Sequence, residues 1–188
     1  MLYIIRHGKT DWNVLHKLQG RTDIPLNEEG RRMAQKAAET YKDIHFDICY
    51  CSPLKRAKET AGILLDGRNI PIICDDRLKE MSFGRYEGTK SSFSTNNGYK
   101  ASDDQVNILF EAPEKYIAPE DGESFEDLYR RTGSFLKEIV EPKLKAGKDI
   151  LIVGHGAMNS SIVCQVKNIS IEHFWDAGIE NCKLMKLD

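Results

Sequence analysis

The stretch Leu2-Tyr3-Ile4-Ile5-Arg6-His7-Gly8-Lys9-Thr10-Asp11-Trp12-Asn13 decides how this chain is read. Its first four residues are apolar, aromatic or β-branched, as in a buried strand. The run stops abruptly at Arg6-His7-Gly8. In an open α/β sheet the ligand crevice lies outside the carboxyl ends of the strands. There arginine offers a charged fork to phosphate oxygens. Histidine attacks phosphorus or moves protons near neutral pH, and glycine lets the backbone approach a ligand closely.

A second stretch, Ile150-Leu151-Ile152-Val153-Gly154-His155-Gly156, repeats this design. Two strands that each deliver a histidine at one edge imply one pocket with two imidazoles. Around them, the pattern alternates strands and helices. Residues 8 to 26 read as a loop whose tip carries Gln19 and Gly20. Asn27 caps a helix with Glu28 and Glu29 in its first turn and Met33, Ala34, Ala37, Ala38 and Tyr41 on its buried face. Residues 45 to 51 and 70 to 74 read as strands. Between them Ser52 is the expected N-cap and Pro53 the first helical residue, with Leu54, Ala57, Ala61 and Leu64 inward and Arg56 off that face. Ser124 with Asp127 forms a capping box for a long helix whose stripe runs from Phe125 to Val140, and Pro142 kinks or ends it. A helix over 159 to 166 and a strand at about 181 to 187 close the chain. The whole implies a three-layer α/β/α sandwich with a mostly parallel sheet.

At 188 residues the chain reads as one domain, 1–188, with a cap or rim segment at about 89–121. In that segment Ser91 to Gly98 favours a loop, and Gln105 to Glu111 a short helix with Val106, Leu109 and Phe110 apolar. Net charge is −2, so no global basic field exists to hold nucleic acid or an anionic membrane. An anionic substrate must be captured by a local cationic pocket. No transmembrane run or signal peptide is expected. The five cysteines are odd in number and lack a C-x-x-C spacing, which suits buried thiols in a reducing, cytoplasmic compartment.

The motifs resemble the histidine phosphatase superfamily, in its phosphoglycerate mutase-like branch. Arg6-His7-Gly8 with Thr10, Trp12 and Asn13 is similar to the family's signature, and Leu26 with Gly30 to its leucine-x-x-x-glycine pattern. Ser52-Pro53-Leu54-Lys55-Arg56-Ala57-Lys58-Glu59-Thr60 resembles its second motif almost letter for letter, and Leu78 to Gly88 its third. Lys9 departs from the glutamine or glutamate common there. The resemblance implies a metal-independent phosphomonoester hydrolase, possessing no cofactor, that works through a phosphohistidine on His7. It implies that Arg6, Arg56 and His155 clamp the phosphoryl group, with Asn13, Gln19 and Gly20 as further phosphate contacts. Glu80 matches the position of the general acid, and Glu87 that of a structural glutamate.

The residues read bottom-up agree with this. Phosphoryl transfer spreads negative charge over three oxygens, so positioning and electrostatics carry catalysis. Arg6 and Arg56 supply positive charge where a metal otherwise would, and they disfavour an imidazolium at His7. A backbone carbonyl must hold the other ring nitrogen. No acidic set for a magnesium pair and no histidine–carboxylate cluster stands at ligand spacing. A phosphoglycerate mutase, a phosphoprotein phosphatase and a phosphate-binding signalling module are the alternatives. Small-molecule candidates include sugar phosphates, phosphoglycerates, phosphoserine and α-ribazole phosphate. The sequence does not select among them, and it leaves the oligomeric state open.

Overall fold

The computed structural model describes residues 1–91 and 100–187. The expected loop residues Ser92 to Gly98 therefore lie outside the described residues. Five strands form one sheet: β1 (Leu2–Arg6), β2 (Ile48–Cys51), β3 (Ile72–Cys74), β4 (Ile150–Gly154) and β5 (Leu184–Leu187). Their order is β3-β2-β4-β1-β5. All neighbours are parallel except β1 and β5, which run antiparallel. The mostly parallel sheet of the sequence reading is thus present, with a reversed edge strand that the sequence did not announce.

Alternate residues of the central strands serve opposite faces, as the period of two requires. Ile5, Cys49, Cys51, Leu151 and Val153 pack with Ala34, Ala37, Ala57, Ala61 and Leu64. After the short α1 (Asp11–Val14), these alanines and Leu64 belong to α2 (Glu28–Thr40) and α3 (Lys55–Leu64). Ile4, Tyr50, Ile150 and Ile152 pack on the other side with Phe135, Val140, Met158, Ile162 and Val163. Those come from α5 (Phe125–Phe135), the turn after it, and α7 (Gly156–Lys167). This is the α/β/α sandwich. A third cluster joins Val106 and Leu109 of α4 (Asp104–Glu111) to Phe125, Leu128 and Phe174 beside the sheet.

Several boundaries differ from expectation. α3 begins at Lys55, and its N-cap is Leu54 rather than Ser52. The Ser52 hydroxyl instead accepts from Leu54 N–H (3.3 Å), a local turn that competes with capping. Pro142 does not end the long helix. A π turn over Leu136–Val140 carries the chain into α6 (Glu141–Lys145), where Pro142 stands in the first turn and needs no intrahelical donor. The last helix starts at Gly156, three residues earlier than expected, and its face-to-face burial from Ala157 to Cys164 hides the amphipathic signal.

β1 and β4 are adjacent, and Arg6 pairs in register with Gly154. From β1 the chain leaves toward α2 on one face, and from β4 it enters α7 on the other. The loops diverge, and a crevice opens at that switch point. Arg6-His7-Gly8 and His155-Gly156 stand at its lip.

Candidate active site

His7 follows the last residue of β1, and its N–H donates to Gly154 O (3.0 Å), so the two histidine-bearing ends are tied together. Asn181 Nδ2 donates to His7 O (2.6 Å) and Cys182 N–H to Arg6 O (2.9 Å). Gly8 N–H donates to Thr60 Oγ1 (3.0 Å), which itself donates to Arg56 O (2.7 Å). Gly8 and Gly30 touch: a Cβ on Gly8 would lie 2.4 Å from Gly30 O, and one on Gly30 would lie 2.0 Å from Lys9 O. No larger residue fits either position, which gives the leucine-x-x-x-glycine pattern its physical content.

The His7 ring is buried. Its Nδ1 lies 2.6 Å from Gly8 O, so Nδ1 carries the proton and Nε2 keeps its lone pair. The backbone carbonyl called for by the sequence is that of the next residue. Arg56 Nε donates to His7 Nε2 (3.2 Å). Burial holds the His7 imidazolium well below its ordinary range, and the charges of Arg56 and Arg6 push the same way. His155 is fully buried, with its ring centroid 5.1 Å from that of His7. Burial, then Arg56, keeps it neutral too. Among the described residues neither His155 nitrogen has a partner, and Arg6 Nε is likewise buried and unpaired. Buried polar groups are normally satisfied, so the unpaired Arg6 Nε in the cleft wall marks a donor available to an anion.

Arg56 is completely buried, although it is a helix arginine that sequence pattern alone would put in water. Its terminal nitrogens donate to Gly20 O (2.7 Å) and Thr22 O (3.0 Å). Burial lowers its pKa to about 10, still charged at neutral pH. Arg6 is lowered by burial, with Glu80 opposing, and its Nη1 donates to Ile179 O (3.1 Å).

Glu80 is buried at the N-terminus of α7. Its Oε1 accepts from Met81 and Met158 N–H (2.9 Å each), and its Oε2 from Ala157 N–H (3.2 Å). It is the end cap that His155 does not supply. Glu87, expected to be structural, is so: its carboxylate accepts from Arg21 and Thr22 N–H (2.9 Å each) and from the Thr22 hydroxyl. Gly20, with φ +53°, lies against it, so that a Cβ there would overlap Glu87 Oε1.

One cleft of about 120 Å³ gathers Arg6, His7, Asn13, Gln19, Gly20, Arg56 and Glu80. His155 is not among the residues lining it, and its buried ring stands edge-on to that of His7. Asn13 is part of a capping box with Thr10: its Oδ1 accepts from Thr10 N–H (3.0 Å) and hydroxyl (3.1 Å), which leaves only its amide nitrogen for a ligand. Gln19 Oε1 accepts from Thr10 Oγ1 (2.8 Å), with the same result. Thr10 therefore holds the loop rather than lining the cleft. Trp12 packs on Gly88, and Lys9 pairs with Glu29 at the surface (2.7 Å). Sequence reasoning missed His16, Lys17, Phe83, Phe110 and Trp175 in the cleft wall. Only Phe110 carried a signal, as an apolar residue of a short helix.

Elsewhere, His45, Asp47 and Asp149 come together, a cluster invisible in sequence because Asp149 is remote. Asp47 falls to about 2 through the Asp149 N–H and Lys148, which already occupy it. Among the described residues no helix is long and apolar enough to cross a membrane.

A parallel α/β sheet that presents two neutral imidazoles and two arginines at its switch point defines an anion-handling α/β protein. The chain belongs to the histidine phosphatase superfamily (branch 1), whose family model matches residues 2–188. It is 34% identical over 174 residues to a 2,3-bisphosphoglycerate-dependent phosphoglycerate mutase of Cytophaga hutchinsonii, covering 92% of this chain and 79% of that one. Among solved structures it is similar to the phosphoserine phosphatase of Entamoeba histolytica in complex with 3-phosphoglyceric acid. That match has TM-score 0.79 and 28% identity, covering 97% of this chain and 87% of the other. It is also similar to the α-ribazole phosphatase of Shigella flexneri, with TM-score 0.78, 25% identity, and 97% and 87% covered. The protein is thus phosphatase-like or phosphoglycerate mutase-like.

Proposed function

We propose that this protein is a metal-independent hydrolase of small phosphomonoesters, working through a phosphohistidine on His7. The observation that carries this is the ring of His7: Nδ1–H on Gly8 O, Nε2 free of its proton and facing Arg56. In this reading His7 Nε2 attacks phosphorus while Arg6, Arg56 and His155 take up charge on the equatorial oxygens. The amide nitrogens of Asn13 and Gln19 and the Gly20 turn complete the phosphate contacts. The ester oxygen leaves with a proton from Glu80. Its Oε2 is the better placed atom, having a single and longer hydrogen bond. Glu80 then takes a proton from water, whose oxygen attacks phosphorus and frees His7. Buried Arg6 and Arg56 stand in for the charge of a metal ion. Residues 1–188 act as one domain, with the segment at about 89–121 as the rim. The five free thiols suit a reducing, cytoplasmic setting.

Phosphoglycerate mutase is the second reading, favoured by the name of the Cytophaga relative. The test is release of phosphate from a panel of phosphomonoesters with EDTA present, beside His7→Ala. Undiminished release in EDTA, lost in the variant, is the expected outcome. Isomerisation of phosphoglycerate that needs a bisphosphorylated primer, with little release, would favour the mutase. Release that collapses in EDTA would defeat the metal-independent mechanism.

A further inference from the structure

The cleft wall also takes in His16, Lys17 and Leu18, which lie between Asn13 and Gln19 in the chain. His16 stands there with φ +55°, in the left-handed region. Non-glycine residues are uncommon in that region, histidine being among those enriched there, and here the surroundings impose the turn. The surroundings are explicit. His16 N–H donates to Asn13 O (3.1 Å), and His16 O accepts from Ser91 N–H (2.9 Å). Leu18 exchanges backbone hydrogen bonds with Thr89 (3.0 Å) and Gly88 (2.8 Å). This stitching places both the His16 ring and Lys17 in the cleft wall.

Among the described residues, no polar group of the protein takes up either side chain. Among the described residues the His16 ring makes no hydrogen bond, and its Nδ1 is buried without a partner. Lys17 makes no ion pair among them. Its ammonium lies 5.5 Å from the centroid of Trp12, a contact that orients the charge without neutralising it. The other side chains of this part of the cleft, Phe83, Phe110 and Trp175, bring no charge. In the hydrolase reading Arg6 and Arg56 are the cations given to the transferred phosphoryl group, so Lys17 and His16 are surplus to it.

We infer that His16 and Lys17 form a subsite for a second anionic group on the substrate, so that the enzyme selects phosphomonoesters that also carry a carboxylate or another phosphate. This rests on the hydrolase reading above. The ammonium would pair with the second anion, and an imidazole N–H would donate to it, both charge-assisted contacts.

The test uses matched esters: phosphoserine against phosphoethanolamine, phosphoglycerate against glycerol phosphate, and a sugar bisphosphate against its monophosphate. Each is assayed with the native protein, His16→Gly and Lys17→Gln. Glycine adopts the left-handed backbone freely, so the first variant keeps the fold. The native protein is expected to prefer the doubly anionic member of a pair, and the pair showing it tells carboxylate from phosphate. Each variant is expected to reduce that preference in kcat/KM by about tenfold, through KM. Hydrolysis of both members alike by the native protein would overturn the subsite and leave the hydrolase standing. An equal loss on both members in the variants would overturn it as well, assigning the residues to the fold. No release from any ester would remove the hydrolase reading and the subsite with it.

Discussion

His7 shows how far one side chain depends on its neighbours. Its Nε2 lone pair is free of a proton because Gly8 O fixes the tautomer and because burial beside two arginines opposes protonation. The same setting should appear in activity. Since His7 and His155 are held neutral well below pH 6.5, kcat/KM is expected to persist through that value, with its acid limb lower. An acid limb centred at 6.5 in a pH–rate profile would contradict this. Gly30 is a second residue-scale case. A methyl group there would meet Lys9 O at 2.0 Å, on the strand-to-loop segment that carries His7. Gly30→Ala is expected to cost about 1–3 kcal/mol in urea unfolding, with lowered kcat because Lys9, two residues from His7, must shift. Unchanged stability would show that the segment yields freely.

At the scale of elements, the telling feature is α7. Its N-terminus has no cap of its own, and Glu80 supplies one from another part of the chain. One carboxylate therefore holds the helix that positions His155 and, in the proposed mechanism, moves the proton. The two roles separate by substitution. Glu80→Ala is expected to lose about 1–2 kcal/mol of stability as well as activity. Glu80→Gln keeps an acceptor oxygen for Met81 and Met158, so its melting temperature is expected to stay near the native one while kcat falls about a hundredfold. Equal activity in Glu80→Gln and the native protein would remove Glu80 from proton transfer. The Pro142 region carries the other lesson at this scale. A proline that reads as a kink or a stop is accommodated by a π turn, with Phe135 and Val140 packed on the sheet.

For the whole molecule, the buried imidazoles link site and stability. In the folded protein both stay neutral below 6.5, whereas in the unfolded chain each binds a proton near that value. The unfolded state thus binds more protons in the window below 6.5. Stability is complete above it and falls as the pH drops, by up to about 1.4 kcal/mol per pH unit for each histidine. Urea unfolding from pH 7.5 to 5 (about neutral to mildly acid) should show this decline in the native protein and a shallower one in His155→Gln. Identical slopes would mean that the second histidine titrates alike in both states.

The order of strands and helices, the pairing of Arg6-His7-Gly8 with His155, and the motif around Arg56 were legible in the sequence. Each is local: a period of two or 3.6 and a few residues at a strand's end or a helix's start carry it. The antiparallel β5, the place of Glu80 on α7, the grip of Thr60 and Asn181 on the His7 loop, and the wall that carries His16 and Lys17 were not. These depend on contacts between residues far apart in the chain, and no periodicity records which distant segments meet. The sequence by itself determined which chemical groups this protein brings to an anion. Tertiary packing decided their protonation, because burial sets the cost of charge. It also decided what else stands around the anion, because the cleft walls come from segments that only the folded sheet brings together.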